Sequence, residues 1–463
     1  MIKPDITAKL PAKLTRVHFV GIGGSGMSGI AKMFHERGIV VTGSDRSESK
    51  TISELGRLGI DVQLGHEPAA VKNADAVVVT GALWEDNPEY LYALANQIPV
   101  VHRSVALDWL SRDKRLISVA GAHGKTTTTG MLVSALRALG SDPSFVNGGV
   151  INEFDTSAGT GNGNEFVLEA DESDGSFLLY QTDIGLVTNI DTDHLETYGS
   201  SAAFEQAFLD FVNGCTEFCV LSADDDSLVR IGKKASTRVV TFGESETADF
   251  RVTEISATEL GLSAKIFQGD ESATLNLGVP GRHNAINACG VVALLVSTGF
   301  GLTESAAALR NFTGTGRRFQ LRGEVRGVRV YDDYAHHPVE VRAALATARS
   351  VVGDGRVIAI HQPHLYSRTR DMAKDFAAEY ERAADFTVVL DVHGAREDPI
   401  PGVSGELVSS AFSDKSTVEY CPNWDDAVAV AAKKAKAGDI IMTLSCGDVY
   451  RIIPSLLEEL QEK

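Results

Sequence analysis

Cysteine is scarce in this sequence: Cys215, Cys219, Cys289, Cys421 and Cys446 are all of it, and no two stand as a C-x-x-C pair. That excludes a disulfide-stapled scaffold and a clustered-thiolate metal site. Cys215 and Cys219, four apart in an apolar setting, read as buried thiols. Positive charge is also short. Lysine and arginine total 43 against 62 acids, a net charge of -19, and so acidic a body excludes nonspecific nucleic-acid and anionic-membrane binding. A local basic pocket for an anionic small substrate is still compatible with it. No apolar run reaches the length of a membrane span, the longest stretch near Cys289 to Thr298 being short and broken. The opening MIKPDITAKLPAKLTRVHFV has no apolar h-region, so a secretory signal is not expected. These absences predict a cytoplasmic protein kept in a reducing compartment. At 463 residues, with 43% hydrophobic and 23% charged, the composition is that of a soluble globular chain of two or three domains.

What is present is organised around residues 116 to 139, LISVAGAHGKTTTTGMLVSALRAL. An apolar run, Leu116 to Ala120, enters a small-residue loop, and Lys125 with four threonines then heads an amphipathic helical pattern. Strand, glycine loop, Lys-Thr and helix together hold nucleotide phosphates, because loop N–H groups and a helix N-terminus present fixed partial positive charge. Lys125 is expected to reach the β- and γ-phosphates, and the Thr126 hydroxyl to ligate the accompanying Mg²⁺. The loop is shorter than the common G-x-x-x-x-G-K-T: position 119 is Val119, leaving Gly121-x-x-Gly124-Lys125-Thr126.

Upstream, RVHFV at 16 to 20 runs into Gly21-Ile22-Gly23-Gly24-Ser25-Gly26 and a helical pattern to about Arg37; a second β run, Ile39 to Thr42, ends at Ser44-Asp45. This is G-x-G-x-x-G in a strand–loop–helix context, with glycines that let a pyrophosphate approach and an acid, Asp45, placed for a ribose or base. Alone it fits a nicotinamide-dependent dehydrogenase. The second nucleotide loop at Gly121, and the shortness of this third, favour a half-size Rossmann unit holding one nucleotide diphosphate, such as a UDP-linked substrate.

Downstream, apolar runs end at Glu169-Ala170-Asp171-Glu172 and at Asn189-Ile190-Asp191, the latter followed by Asp193-His194. Acids at strand ends beside a phosphate loop read as metal ligands or as N-caps of the next helix, and Asp171, Glu172, Ser173 and Asp191 stay open between the two. Asp224-Asp225-Asp226 reads as a solvated turn with a cap, and residues 236 to 280 as a small antiparallel insertion. His283-Asn284, opening an apolar helix to about Thr298, suits an adenine contact or a cap equally. From about Arg322 a fresh β-α alternation begins, with β runs at 328–332, 357–361, 386–391, 417–421 and 440–444 and dense polar residues at two strand ends, 332–338 and 361–370.

In that order, GIGGSGMSGIA, GSD, GAHGKTTT, EADESDGSFL, TNIDTDHLETYG, GRHNAINA, GRRFQ, DDYAHHP and HQPHLYSRTRD resemble the motifs of the Mur ligases of peptidoglycan synthesis over essentially the whole chain. The resemblance implies an α/β fold of three domains: a Rossmann-like UDP-substrate domain (1–112), a central P-loop ATP-binding domain (113–322) and a C-terminal Rossmann-like α/β domain (323–463) that closes the cleft and admits the amino acid. It implies ATP-dependent, ADP-forming ligation of L-alanine to the lactoyl carboxylate of UDP-N-acetylmuramate through an acyl phosphate, with Mg²⁺. A peptide-joining relative on UDP-muramate is the alternative within the family. Gly21, Gly23, Gly24, Ser25, Gly26, Asp45 and His66 would hold the UDP-substrate. Gly121, Ala122, His123, Gly124, Lys125, Thr126, Thr127, His283, Asn284, Arg318, Asp333 and Tyr334 would hold ATP, with Arg317 the other candidate cation of its pair. Thr126 and Glu169 would ligate one metal ion and His194 a second. Lys125, His336 and Arg368 are the catalytic set, His336 being placed as the amine base. No nucleic acid or membrane partner is expected, and monomer or dimer is left open.

Two positions depart from the family's pattern: Ala122 stands for its usual threonine and Leu365 for a frequent arginine. The carbamylated lysine of sibling ligases has no counterpart, since no lysine lies between His194 and Lys233.

Overall fold

The computed structural model describes residues 6–81, 83–191, 195–258, 261–395 and 397–462. The chain divides into two compact units. The first comprises everything to Glu254 with Ala264–Asn276 and Ile286–Thr313, and the second comprises Ile255–Ser263, Leu277–Ala285 and Gly314–Lys463.

The first unit begins with a sheet of five parallel strands: β1 (Arg16–Val20), β2 (Val40–Asp45), β3 (Asp61–Leu64), β4 (Ala76–Val79) and β5 (Val100–His102), in the order β3-β2-β1-β4-β5. Central β1 and β4 are buried almost throughout, as parallel strands covered on both faces must be. Phe34 on the helix Ser25–Glu36 stacks on Trp109 at 5.1 Å and meets Phe19 edge-on at 5.8 Å. The strand order changes direction at β1, so the Gly21 loop leaves β1 where such sheets bind ligands.

The second sheet holds β6 (Arg115–Ala120), β7 (Ser144–Ile151), β8 (Thr156–Gly159), β9 (Glu165–Glu169), β10 (Ile184–Val187), β11 (Phe218–Ser222), β12 (Val239–Gly243), β13 (Phe250–Thr258), β14 (Gly261–Gln268) and β15 (Glu271–Leu277). Their order is β15-β14-β13-β12-β11-β10-β6-β9-β7-β8, which puts β6 between two parallel neighbours. This corrects the expectation of a small antiparallel insertion over 236–280 for β12 and the start of β13. β12 pairs parallel with β11, and β13 with β12, so the segment prolongs the central sheet. Alternating burial along β13 and β15 carries the antiparallel signature, but pairing partners are not local information.

The helix Ser25–Glu36 crosses β8 so closely that a Cβ on Gly29 would stand 2.6 Å from the Ala158 Cβ. Gly29→Val is therefore expected to cost about 1–3 kcal/mol of stability by overpacking two regular elements, read as a lowered Tm.

The second unit carries β16 (Gln320–Val325), β17 (Val328–Asp333), β18 (Val357–His361), β19 (Phe386–Val389), β20 (Val418–Tyr420) and β21 (Ile440–Leu444), ordered β16-β17-β21-β18-β19-β20. All pairings are parallel except β16 with β17. β16 is absent from the sequence reading because QLRGEV has no apolar run; it exists as an edge strand laid on β17. The five cysteines are free thiols, all buried except the half-buried Cys446. Among the described residues no helix is long and apolar enough to cross a membrane.

Candidate functional site

β6 delivers the chain into the loop Gly121–Gly124 between the carboxyl ends of β9 and β10. Gly121 has φ +129°, and a Cβ there would lie 2.2 Å from the Thr188 Oγ1; Gly124 has φ +87°, and its Cβ would lie 2.9 Å from the Asn287 Nδ2. Only glycine fits either place. Asn189 clamps the loop: its carbonyl accepts the Ala122 N–H at 3.0 Å, its side-chain oxygen accepts the His123 N–H at 2.9 Å, and its Nδ2 donates to the His123 carbonyl at 2.9 Å. The Thr188 hydroxyl donates to the same carbonyl at 2.6 Å. The Ala122 and His123 amides, expected on the phosphates, are thus spent on shaping the loop. The amides of Lys125 to Thr127, in the first turn of the helix Lys125–Ala138, have no intrahelical acceptor and are the anion-binding ones.

The Lys125 ammonium donates to the Gly121 carbonyl at 2.5 Å and to Glu172 at 2.9 Å. Burial pulls its pKa down, but Glu172, Asp171 and Glu169 outweigh this and hold it above the usual lysine value. Burial moves the Glu172 carboxyl up, against Lys125. Asp171, one residue before, is pulled down to about 2 despite burial, by Arg103 and then Lys125. Arg103, heading the helix Arg103–Ser111, meets Asp171 at 3.0 Å. Of the strand-end acids left open, Asp171 and Glu172 are ion-pair partners of Arg103 and Lys125, Asp171 also accepts the Ser173 amide at 3.0 Å, and Asp191 meets the His123 Nε2 at 3.1 Å. Asp225 does cap its helix, accepting from the Ser227 and Leu228 amides at 2.8 and 3.0 Å.

The Thr126 hydroxyl donates to the Glu169 Oε1 at 2.9 Å, and the other oxygen of Glu169 takes the Gly148 amide. Two hard oxygen donors in contact beside a phosphate loop suit Mg²⁺. His194 and the Ser25 side chain lie outside the described residues.

In the first sheet, Gly21 (φ +77°) and Ile22 donate their amides to the Ser44 carbonyl at 2.8 and 3.0 Å, and Gly24 caps the following helix with its amide on the Gly21 carbonyl at 3.1 Å. Asp45, expected at a ribose or base, braces the glycine loop. Its Oδ2 accepts the Gly23 amide at 2.9 Å, and a Cβ on Gly23 would stand 2.9 Å from that oxygen. Nothing lies within 4 Å of where a Gly26 Cβ would stand. His66 is half-buried, with its Nδ1 2.9 Å from the Ser44 Oγ.

In the second unit the arginine pair separates. Arg317 is fully engaged: Nε on Asp332 at 3.0 Å, Nη1 on the Gly447 carbonyl at 3.0 Å, Nη2 on the Ser445 carbonyl at 2.7 Å, with Tyr334 and Tyr450 against its face. Arg318 has only a 3.9 Å approach to Glu340 and the Tyr334 ring. Asp333 spends both oxygens on the Phe319 and Ala335 amides at 2.7 and 2.8 Å, and burial, opposed by Arg318, pushes its carboxyl up to about 6. It organises the turn that presents Tyr334. Asn284 donates one Nδ2 hydrogen to the Pro280 carbonyl at 2.6 Å, and His283 is exposed.

His336, expected as the amine base, faces an acid four residues on. Its Nδ1 lies 3.1 Å from Glu340. Burial pulls the imidazole down, but Glu340 and then Cys446 raise it to about 10, which favours the protonated ring. Because the folded pKa is raised, this contribution to stability is complete below the unfolded histidine value near 6.5 and fades as pH rises through about 10. A Tm that falls over that window in the wild type, and does so less in Glu340→Gln, is expected. Leu365 caps the helix Tyr366–Ala383 at φ +70°, 6% exposed, with its amide on the His393 carbonyl at 3.0 Å. The position that loses a cation thus gains a packed side chain in a backbone region costing about 1–3 kcal/mol. Arg368, in the first turn of that helix, is half-buried and has no ion pair among the described residues.

The sequence reading missed Thr188, Asn189, Arg103, Glu340 and Glu89. Asn189 and Glu340 sit in or beside motifs already singled out; Arg103 and Glu89 carry no local signal of partnership.

Residues 16–115, 119–295 and 317–447 match three family models, described as "Mur ligase family, catalytic domain", "Mur ligase middle domain" and "Mur ligase, glutamate ligase domain". The chain is 57% identical to the UDP-N-acetylmuramate–L-alanine ligase of Clavibacter michiganensis subsp. michiganensis over 461 residues, 100% of this chain and 97% of that one. It is 43% identical to the ligase of the same name from Renibacterium salmoninarum, covering 96% of each. Among solved structures, UDP-N-acetylmuramate-alanine ligase from Thermotoga maritima superposes with a TM-score of 0.82 at 29% identity, covering 96% of this chain and 99% of that one. A murein peptide ligase from Psychrobacter arcticus gives 0.73 at 26%, covering 97% and 99%.

Proposed function

The chain belongs to the Mur ligase family, and from that premise we propose that it joins L-alanine to the lactoyl carboxylate of UDP-N-acetylmuramate with conversion of ATP to ADP and phosphate. The observation that carries the reading is a phosphate loop with a half-buried Lys125 paired to Glu172, in the same compact unit as a second, separate glycine loop. Two loops provide for a nucleoside triphosphate and a nucleotide-linked acceptor, which sets aside the dehydrogenase reading of Gly21 to Gly26.

A carboxylate does not expel oxide, so the acid must first be activated. Its oxygen attacks the γ-phosphorus, the bond to the β-bridging oxygen breaks, and ADP departs. The amine of alanine then adds to the acyl phosphate carbon, and the tetrahedral intermediate expels phosphate. Lys125 leaves Glu172 to hold the β,γ-phosphates, and the first-turn amides Lys125 to Thr127 hold their oxygens. Thr126 and Glu169 would hold Mg²⁺, which would supply neutralising charge at those phosphates. Arg318, Arg368 and His336 are the second unit's proposed contributions to the reaction. A base takes up the proton of the attacking amine, and the raised pKa of His336 disfavours it for that role.

The test is phosphate release from ATP and Mg²⁺ with UDP-N-acetylmuramate and a panel of amines. Release that requires both UDP-sugar and L-alanine is expected. Preference for a tripeptide over alanine, or release indifferent to the amine, would sink the substrate assignment.

A further inference from the structure

Beneath the glycine loop of the first sheet lies a buried polar network that the reaction as described does not use. Glu89 is 0% exposed. Its Oε2 accepts the Ser44 hydroxyl at 2.5 Å and lies 3.2 Å from the His66 Nδ1, while its Oε1 accepts the Glu67 amide at 3.2 Å. His18, equally buried, points its Nε2 at the same carboxylate from 3.6 Å, with its Nδ1 2.8 Å from the Thr42 hydroxyl.

A buried carboxylate needs a reason to keep its charge. Glu89 sits in the first turn of the helix Pro88–Ala95, where the helix dipole favours an anion. Burial pushes its carboxyl up, and His18, Ser44 and His66 together outweigh this and hold it below the ordinary value.

The hydrogen count around Ser44 then fixes a tautomer. The Ser44 hydroxyl proton is directed to Glu89, which leaves its oxygen an acceptor, and the Glu89 carboxylate is acceptor only. The His66 nitrogen facing both, Nδ1, must carry the proton. The ring is 15% exposed, and among the described residues Nε2 has no protein partner. Ser44 is also the residue whose carbonyl holds the Gly21 and Ile22 amides at 2.8 and 3.0 Å, so the same backbone places His66 at the mouth of the loop.

We propose that Glu89 is a positioning residue for the UDP-sugar: it locks the His66 ring with Nδ1–H inward and presents Nε2 to that substrate beside the glycine loop. The proposal rests on the UDP-sugar reading of this loop.

Glu89→Gln tests it, because the amide keeps the shape but sets a donor either against the Ser44 and His66 donors, reversing the tautomer, or against the Glu67 amide, displacing the residue next to His66. The apparent KM for UDP-N-acetylmuramate is expected to rise at least about tenfold, with that for ATP within about twofold. His66→Asn should do the same, and the double variant should be no worse than His66→Asn alone, since the two residues act as one unit. A purely structural glutamate would instead lower Tm and give additive losses. An unchanged KM in Glu89→Gln, or additivity in the double variant, overturns the proposal. Binding of UDP alone by calorimetry, weakened in both single variants, separates it from the ligase reading: wild type that binds UDP but releases no alanine-dependent phosphate removes the reading and leaves the proposal standing. UDP binding undiminished in both variants overturns it.

Discussion

Lys125→Ala is expected to lower ADP formation by at least about a thousandfold, roughly 4 kcal/mol of transition-state stabilisation. The ammonium sits inside the phosphate loop, 2.5 Å from the Gly121 carbonyl, and phosphoryl transfer between two anions depends on charge already in place. The substitution has a second consequence. Glu172 is 1% exposed and would lose its partner at 2.8 Å, so the variant should also be less stable, by up to about 3 kcal/mol, unless the carboxyl takes up a proton. Glu172→Gln in the Lys125→Ala background separates the effects: it should recover Tm without recovering turnover. Near-normal ADP release in Lys125→Ala would remove the phosphate-loop assignment altogether.

The adjacent arginines of the second unit should behave in opposite ways. Arg317→Met strands Asp332, which is 0% exposed, with only Arg322 at 3.9 Å as a remaining cation, and also frees the Ser445 and Gly447 carbonyls. A loss of about 3 kcal/mol in stability is expected, read as a lower midpoint in urea. Arg318→Met breaks only a 3.9 Å approach to Glu340 and a ring contact, worth less than about 1 kcal/mol. Its deficit should appear in kcat/KM. Were Arg317→Met stable and inactive, and Arg318→Met unstable, the roles given to the two would be exchanged.

Both experiments turn on where reading the chain succeeds. The strands of the third sheet are legible because fully buried parallel strands are continuous apolar runs, as in β18 and β21. β16 is not, since an edge strand with half its residues in solvent needs no such run. Likewise GRRFQ shows two arginines with nothing to rank them. Only the path of β17 and the turn after β21 show that Arg317 is spent on Asp332 and on carbonyls 128 and 130 residues away.

The sequence by itself determined the α/β class, the three-domain family and the two glycine loops, because each loop is a local object: strand, positive-φ glycines and helix follow one another within a dozen residues. The functions of the acids were decided only by the tertiary structure. Lys125 finds Glu172 across 47 positions, Asp171 finds Arg103 across 68, and Glu89 finds Ser44 across 45. A carboxylate's role as ligand, cap or counter-ion is set by which charge the fold brings within about 3 Å, and no spacing along the chain encodes that neighbour.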